Sequence, residues 1–200
     1  MATASEAPLP PRSPDADEIA LDAPLSGRGV VLAEGTLDGA DLAGHTLSEG
    51  RLVDLRLRVC SLANADARGS EIRRVELAGC RATGCSFADA SLADVVLDDC
   101  RVDLTSFRFA TLERVVFRDC RLEEADFYGA RLRSVLFERC PLAGATFSGA
   151  TIERVELRGC DLTDVRGAES LRGARMPWPD VVANAGTFAA ALGIVTSDEP

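Results

Sequence analysis

The sequence predicts an all-β solenoid, a quadrilateral β-helix of about seven coils followed by a short C-terminal capping helix. Three observations carry this expectation. First, between Val75 and Leu162 one apolar residue returns every five positions, as in Phe107, Leu112, Phe117, Leu122, Phe127, Leu132 and Phe137, with Ala82 as the one smaller member. Second, a small residue stands two positions before each of these: Cys80, Cys85, Ala90, Val95, Cys100 and Thr105 begin a series that ends at Cys160. Third, like residues recur at a spacing of twenty: cysteine at 60, 80, 100, 120, 140 and 160, valine at 75, 95, 115, 135 and 155, and phenylalanine at 87, 107, 127 and 147.

A period of five matches neither the 3.6 of a helix nor the 2 of a strand, so each group of five should make a short extended piece and turn a corner. The spacing of twenty then stacks like on like, and four sides close one coil. A single coil cannot bury its inner side chains, whereas stacked coils hydrogen-bond to one another and bury a continuous column. Leu or Phe fills the axis. The residue two before it must also fit inside, which is why only Ala, Cys, Val, Thr or Ser occupies that position from Cys60 to Val165.

Taken in order, residues 1–29 hold Pro8, Pro10, Pro11, Pro14 and Pro24 with Glu6, Asp15, Asp17, Glu18 and Asp22, the composition of a tail mobile at its start. The β-helix is expected over residues 30–175. Its register begins with Leu32, Leu37, Leu42 and Leu47, although the small positions there are irregular and include His45. That histidine is expected to be partly exposed and hydrogen-bonded, without a chemical role. Residues 176–200 form the third part: Met176-Pro177-Trp178-Pro179-Asp180 breaks the repeat, and Val181, Ala185, Phe188 and Leu192 then follow helical spacing up to Gly193. This places a capping helix over 179–192. About seven coils at about 4.8 Å each give a rod on the order of 34 Å. Its ends are open sheet edges, so both flanks should cover them. The segment around Trp178 is also the candidate surface for a homodimer.

Composition narrows the function. The formal net charge is -10, and all 22 basic residues are arginine, so direct binding to a nucleic-acid backbone is not expected. No run of 18 apolar residues suits a membrane span, and the acidic, proline-rich start does not read as a secretory signal. A cytoplasmic location is therefore expected. The seven cysteines all fall in the small-residue register, with no CxxC pair, so neither zinc nor disulfides are expected; stacked neighbours about 4.8 Å apart exceed the Cβ separation of roughly 3.5–4.5 Å that a bridge needs. They read as buried free thiols. No GxSxG, HExxH or phosphate loop occurs, and no catalytic, cofactor-binding or metal-binding residue is assigned.

With Ala-Asp-Leu-Ala-Gly at 40–44, Ala-Asp-Phe-Tyr-Gly at 125–129 and Cys-Asp-Leu-Thr-Asp at 160–164, the chain resembles the pentapeptide repeat proteins over about 30–170. The resemblance implies a right-handed quadrilateral β-helix. It also implies a partner, because some members are quinolone-resistance or toxin-immunity proteins, dimers that mimic duplex DNA and bind DNA gyrase. Mimicry would favour an acidic stripe. Between Val30 and Ser170, however, 24 acids are mixed with 18 arginines, and the side bearing Arg73, Arg74, Arg114, Arg131, Arg133 and Arg154 reads basic. The expected function is a non-enzymatic scaffold or protein-interaction module with an unidentified protein partner; the alternative is a DNA mimic that protects gyrase.

Overall fold

A computed structural model describes residues 7–14 and 26–195. Six eight-residue strands follow one another at intervals of twenty: β1 (Val31–Asp38), β2 (Arg51–Arg58), β3 (Glu71–Ala78), β4 (Ser91–Asp98), β5 (Thr111–Arg118) and β6 (Arg131–Glu138). Each pairs in parallel with the next in a register offset of twenty, as in Leu52↔Ile72, Ile72↔Leu92 and Leu92↔Leu112. The next passage is split into β7 (Thr151–Glu153) and β8 (Glu156–Arg158), both paired with β6. The chain is thus a parallel β-solenoid of about six coils, one fewer than the spacing predicts. The reason lies in the axis: the next two inward positions after Leu162 are Gly167 and Arg172, which cannot fill it, and the chain leaves the repeat through a 3-10 turn at Ala168–Leu171.

The four sides are not equivalent. Two of them share one continuous strand, because ladder pairing resumes immediately past the corner, as Val53↔Arg73 is followed by Leu55↔Val75. The other two carry single bridges such as Ser61↔Arg81 and Asp66↔Ser86. There the corners are β-turns, with Ala65 N–H donating to the Leu62 carbonyl at 2.9 Å and Ser70 N–H to that of Ala67 at 3.3 Å. All corners share one backbone feature. Every fifth residue from Gly29 to Asp164 has positive φ, and most of these residues are not glycine; Val59 (φ 53°), Leu104 (57°) and Phe109 (57°) adopt it too. For such residues this conformation costs roughly 1–2 kcal/mol each, which the stacked coils on either side must offset.

The interior is the two inward series. Phe107, Phe117, Phe127, Phe137 and Phe147 are fully buried. Rings one coil apart stack face to face, as in Phe107–Phe127 at 4.9 Å, while the two phenylalanine columns meet edge to face, as in Phe127–Phe137 at 5.7 Å. All seven cysteines are free and buried. Six of them do more than fill space, because each thiol donates to the carbonyl of the residue 23 positions earlier: Cys80 to Leu57 at 3.4 Å, Cys120 to Leu97 at 3.4 Å and Cys160 to Phe137 at 3.5 Å are examples. The thiol takes the acceptor that a β-turn N–H takes on the other sides.

The C-terminal end is closed by α1 (Trp178–Ala183) and α2 (Ala185–Ala191), two short helices where the spacing predicts one. They part at Asn184, whose side chain serves as a substitute rung on the open edge. Leu162 N–H donates to Asn184 Oδ1 at 2.8 Å, and Asn184 Nδ2 donates to the Cys160 carbonyl at 3.1 Å. Thr187 Oγ1 donates to the Leu162 carbonyl at 2.9 Å, and Gly159 N–H to Asp180 Oδ2 at 2.6 Å. In the N-terminal flank, Gly27 and Gly29 N–H donate to the Thr46 and Ser48 carbonyls of the first coil at 2.5 and 2.8 Å, while residues 7–14 are bonded to Asp94 and Arg56 on the side of the rod. The expected mobile start, residues 1–6, lies outside the described residues.

Candidate functional site: the outward columns

A strand side chain that points out of one coil stands directly below the one twenty residues later, so the surface consists of columns with fixed neighbours. Most charged columns alternate in sign. Arg51 meets Glu71 at 3.1 Å, Asp94 meets Arg114 at 2.6 Å, Arg118 meets Glu138 at 3.0 Å and Asp119 meets Arg139 at 2.6 Å. Arg74 pairs with Asp54, and Arg154 donates to Ser134 Oγ at 3.1 Å. The side that reads basic in sequence is therefore largely neutralised. Arg114 holds the Asp94 carboxyl below the usual carboxylate range through hydrogen bonds, against the opposing effect of partial burial.

Asp99 with Asp119 and Asp103 with Glu123 are like-charged neighbours, and one column carries three like charges in a row. Arg81, Arg101 and Arg121 stand exposed in three successive coils and are linked by backbone bridges. Among the described residues none of the three makes an ion pair. At an adjacent-strand spacing of about 4.8 Å, stacked like charges are unfavourable. Two shallow hollows flank the column, one edged by Asp99 and Asp119, the other by Asp103, Leu104, Glu123 and Glu124. The result is a narrow cationic strip between acidic margins.

A second departure is aromatic. Arg108 lies 4.5 Å over the Tyr128 ring and 5.7 Å from that of Phe109, and it pairs with Asp126 at 2.8 Å. Phe109 is 53% exposed, and its ring covers Gly129 so closely that a Cβ there would sit 2.7 Å from it. Large exposed apolar side chains gather at the C-terminal end as well, where Trp178, Val182, Leu192, Ile194 and Val195 are all exposed.

Among the described residues the charged titratable groups lie dispersed over the outward columns. Among the described residues no group of three or more His, Cys, Asp or Glu is placed to hold a metal. His45 is half-buried, with Nδ1 at 3.2 Å from the Ala43 carbonyl. Burial pushes the thiols of Cys85 and Cys140 up to about 12 and that of Cys160 to about 11, so they are neutral at physiological pH and poor nucleophiles. Among the described residues no helix is long and apolar enough to cross a membrane. The arginine strip has a sequence signal, arginine at 81, 101 and 121, that becomes meaningful only once neighbouring columns are known to be paired. The aromatic patch has none, because Phe109 and Tyr128 stand 19 residues apart in different columns.

These features define the class: a solenoid repeat protein whose chemistry lies on its outward columns. Comparison with known families narrows it. A family model described as pentapeptide repeat region matches residues 70–147, and another, pentapeptide repeats (8 copies), matches residues 135–164. Over these residues the chain has the sequence pattern of the pentapeptide repeat proteins. No curated protein matches it. Similar solved structures include the pentapeptide repeat protein HetL, involved in heterocyst differentiation regulation in the cyanobacterium Nostoc sp. strain PCC 7120. It is 17% identical, with 76% of this chain and 91% of that one covered and a TM-score of 0.35. Full-length QnrB1, a plasmid-mediated fluoroquinolone resistance protein, is 21% identical, with 84% and 92% covered and a TM-score of 0.36. A pentapeptide repeat protein of the Arabidopsis thaliana thylakoid lumen is 23% identical, with 64% and 68% covered and a TM-score of 0.28.

Proposed function

We propose that this protein is a non-enzymatic interaction module that docks an acidic segment of a protein partner along Arg81, Arg101 and Arg121. The observation that carries this reading is the column itself, three arginines one coil apart without ion pairs among the described residues, on a rod where many other charges are paired. A rigid ladder presents its charges with little ordering cost, and guanidiniums bind carboxylates in bidentate fashion. The acidic margins select for shape. A single row of carboxylates fits between them, whereas a duplex, with one charge per about 1.7 Å of axis spread over a wide surface, would be repelled by Asp99, Asp119, Glu123 and Glu124.

The test is fluorescence anisotropy with a labelled ten-residue polyglutamate peptide at low salt. Binding should weaken at least tenfold in Arg81→Gln/Arg101→Gln/Arg121→Gln and fall steeply with ionic strength, while the thermal midpoint moves little because all three sites are exposed. Equal binding by the triple variant would refute the reading. The gyrase-protecting alternative draws no support from the columns, since none carries an acid in three consecutive coils of the repeat. A supercoiling assay with gyrase and a quinolone decides it, and protection at micromolar protein would restore it.

Two further expectations belong to the same reading. The exposed apolar residues around Trp178 serve as a homodimer surface, so light scattering should give a dimer mass that Trp178→Glu converts to a monomer; a wild-type monomer would reduce the segment to a cap. Seven free thiols suit a reducing, cytoplasmic environment. Recovery of the native protein from an extracytoplasmic fraction would contradict that location.

A further inference from the structure

Residues 7–14 read Ala-Pro-Leu-Pro-Pro-Arg-Ser-Pro. Their burial has a period of three: Pro14 is buried, Pro8 and Pro11 are half-buried, and the residues between are exposed. Neither a helix nor a strand produces that pattern, but a polyproline II helix has three residues per turn, and no internal hydrogen bonds are needed to hold it. The segment is fastened to the rod by its backbone. Arg12 N–H donates to Asp94 Oδ1 at 3.1 Å, and Arg56 Nη2 donates to the Pro14 carbonyl at 3.1 Å.

The residues that Arg56 and Asp94 hold, Pro14 and Arg12, stand two positions apart, about 6 Å along such a helix. One turn of polyproline II rises about 9.3 Å, close to the about 9.6 Å between coils two apart, such as those of Arg56 and Asp94. The corner column beside the segment repeats over the same interval. Its acceptors Asp54, Asp94 and Ser134 alternate with Arg74, Arg114 and Arg154, so an acceptor returns every second coil. Asp94 accepts two bonds from Arg114, at 2.6 and 2.9 Å, and still takes the Arg12 N–H. In the neighbouring outward column stand Val96, Val116 and Leu136, and Val116 is buried although its register points outward. Acceptors at the period of a polyproline turn, next to an apolar column, are what such a helix requires from a docking surface.

We propose that this face of the rod is a polyproline II recognition track, selective for segments with a proline at every third position, and that residues 7–14 are its resident ligand. A proline-rich segment of a partner protein docks there when the resident leaves. The cis segment is favoured over a free peptide at equal concentration because it is tethered to the same chain.

The test uses the full chain and a labelled peptide of sequence Ala-Pro-Leu-Pro-Pro-Arg-Ser-Pro. In Pro8→Gly/Pro11→Gly/Pro14→Gly the resident loses its preformed helix, and the peptide should bind this variant at least tenfold more tightly than it binds the wild-type chain. A peptide of the same composition with proline at every second position should bind the variant at least tenfold less well. Adding Asp94→Asn to the variant should also weaken binding of the first peptide, and Arg56→Met provides the same check if Asp94→Asn fails to fold. Equal affinity for wild type and variant, indifference to proline spacing, or no binding to the variant at millimolar peptide would each overturn the proposal.

Discussion

Phe127 stands at the centre of the aromatic interior, and its truncation measures how far the rod depends on that packing. Its ring is fully buried, stacked against Phe107 and Phe147 at 4.9 Å each and set edge-on to Phe117 at 6.3 Å and Phe137 at 5.7 Å. Phe127→Ala should cost about 3–5 kcal/mol from lost transfer energy and the cavity left behind. Four ring pairs, each worth about 0.5–1.5 kcal/mol beyond area, place it at the top of that range. Phe87 is the built-in control. It is 6% exposed and meets one ring, Phe107 at 5.4 Å, so Phe87→Ala should cost about 3 kcal/mol. Urea unfolding followed by circular dichroism reads both values. A cost for Phe127→Ala below about 2 kcal/mol, or no larger than that of Phe87→Ala, would refute the idea that the two interlocked phenylalanine columns act as one core.

The cap gives a second test: Asn184→Ala leaves the Leu162 N–H and the Cys160 carbonyl unpaired at a buried edge and should cost about 1–3 kcal/mol in the same assay, whereas a neutral result would mean the edge is held by other contacts. Thiol titration with Ellman's reagent should find the seven cysteines nearly unreactive in the native protein and all reactive in denaturant; fast reaction of native Cys85 or Cys140 would contradict their raised pKa. Acid stability provides a fourth. Arg114 lowers the Asp94 carboxyl in the folded state, so the unfolded chain takes up that proton first. The contribution is complete above the ordinary carboxylate value of about 3.9 and is lost as pH falls through the lowered one. Thermal midpoints of Asp94→Asn should therefore fall less steeply than those of wild type from pH 5 downward, and parallel curves would refute the assignment.

Much of this architecture is legible in the residues, because burial inside a square coil tolerates few side chains. The inward Leu/Phe series and the small series before it are correctly assigned, and the spacing of twenty gives the observed strand register. The cysteines are correctly read as free, though their bonding to carbonyls 23 positions earlier is visible only when the coil is closed. The count of coils runs one too high because it follows Leu162 and Val165 without weighing Gly167 and Arg172, which empty the axis. The split at Asn184 escapes notice since Val181, Ala185, Phe188 and Leu192 keep helical spacing across it. The corners leave a partial compositional trace, since Gly, Asp and Asn fill most of them while Glu, Arg, Ser, Val, Leu and Phe occupy the rest. At those remaining positions stacking, not local preference, forces the left-handed backbone. The outward surface was the least legible part, because whether an arginine is paired depends on a residue twenty positions away.

The unbroken series of left-handed corners from Gly29 to Asp164 also restricts how such a gene can change in length. Insertion or deletion of a single codon would carry every later corner residue onto an inward or strand position and turn the axis inside out. Five codons would restore the corners but rotate all later columns by one side, so that placed between residues 101 and 120 they would separate Arg101 from Arg121 and Cys120 from the Leu97 carbonyl. Only whole sets of twenty preserve both, so the rod can grow or shrink by duplication or loss of complete coils while its surface diversifies one column position at a time.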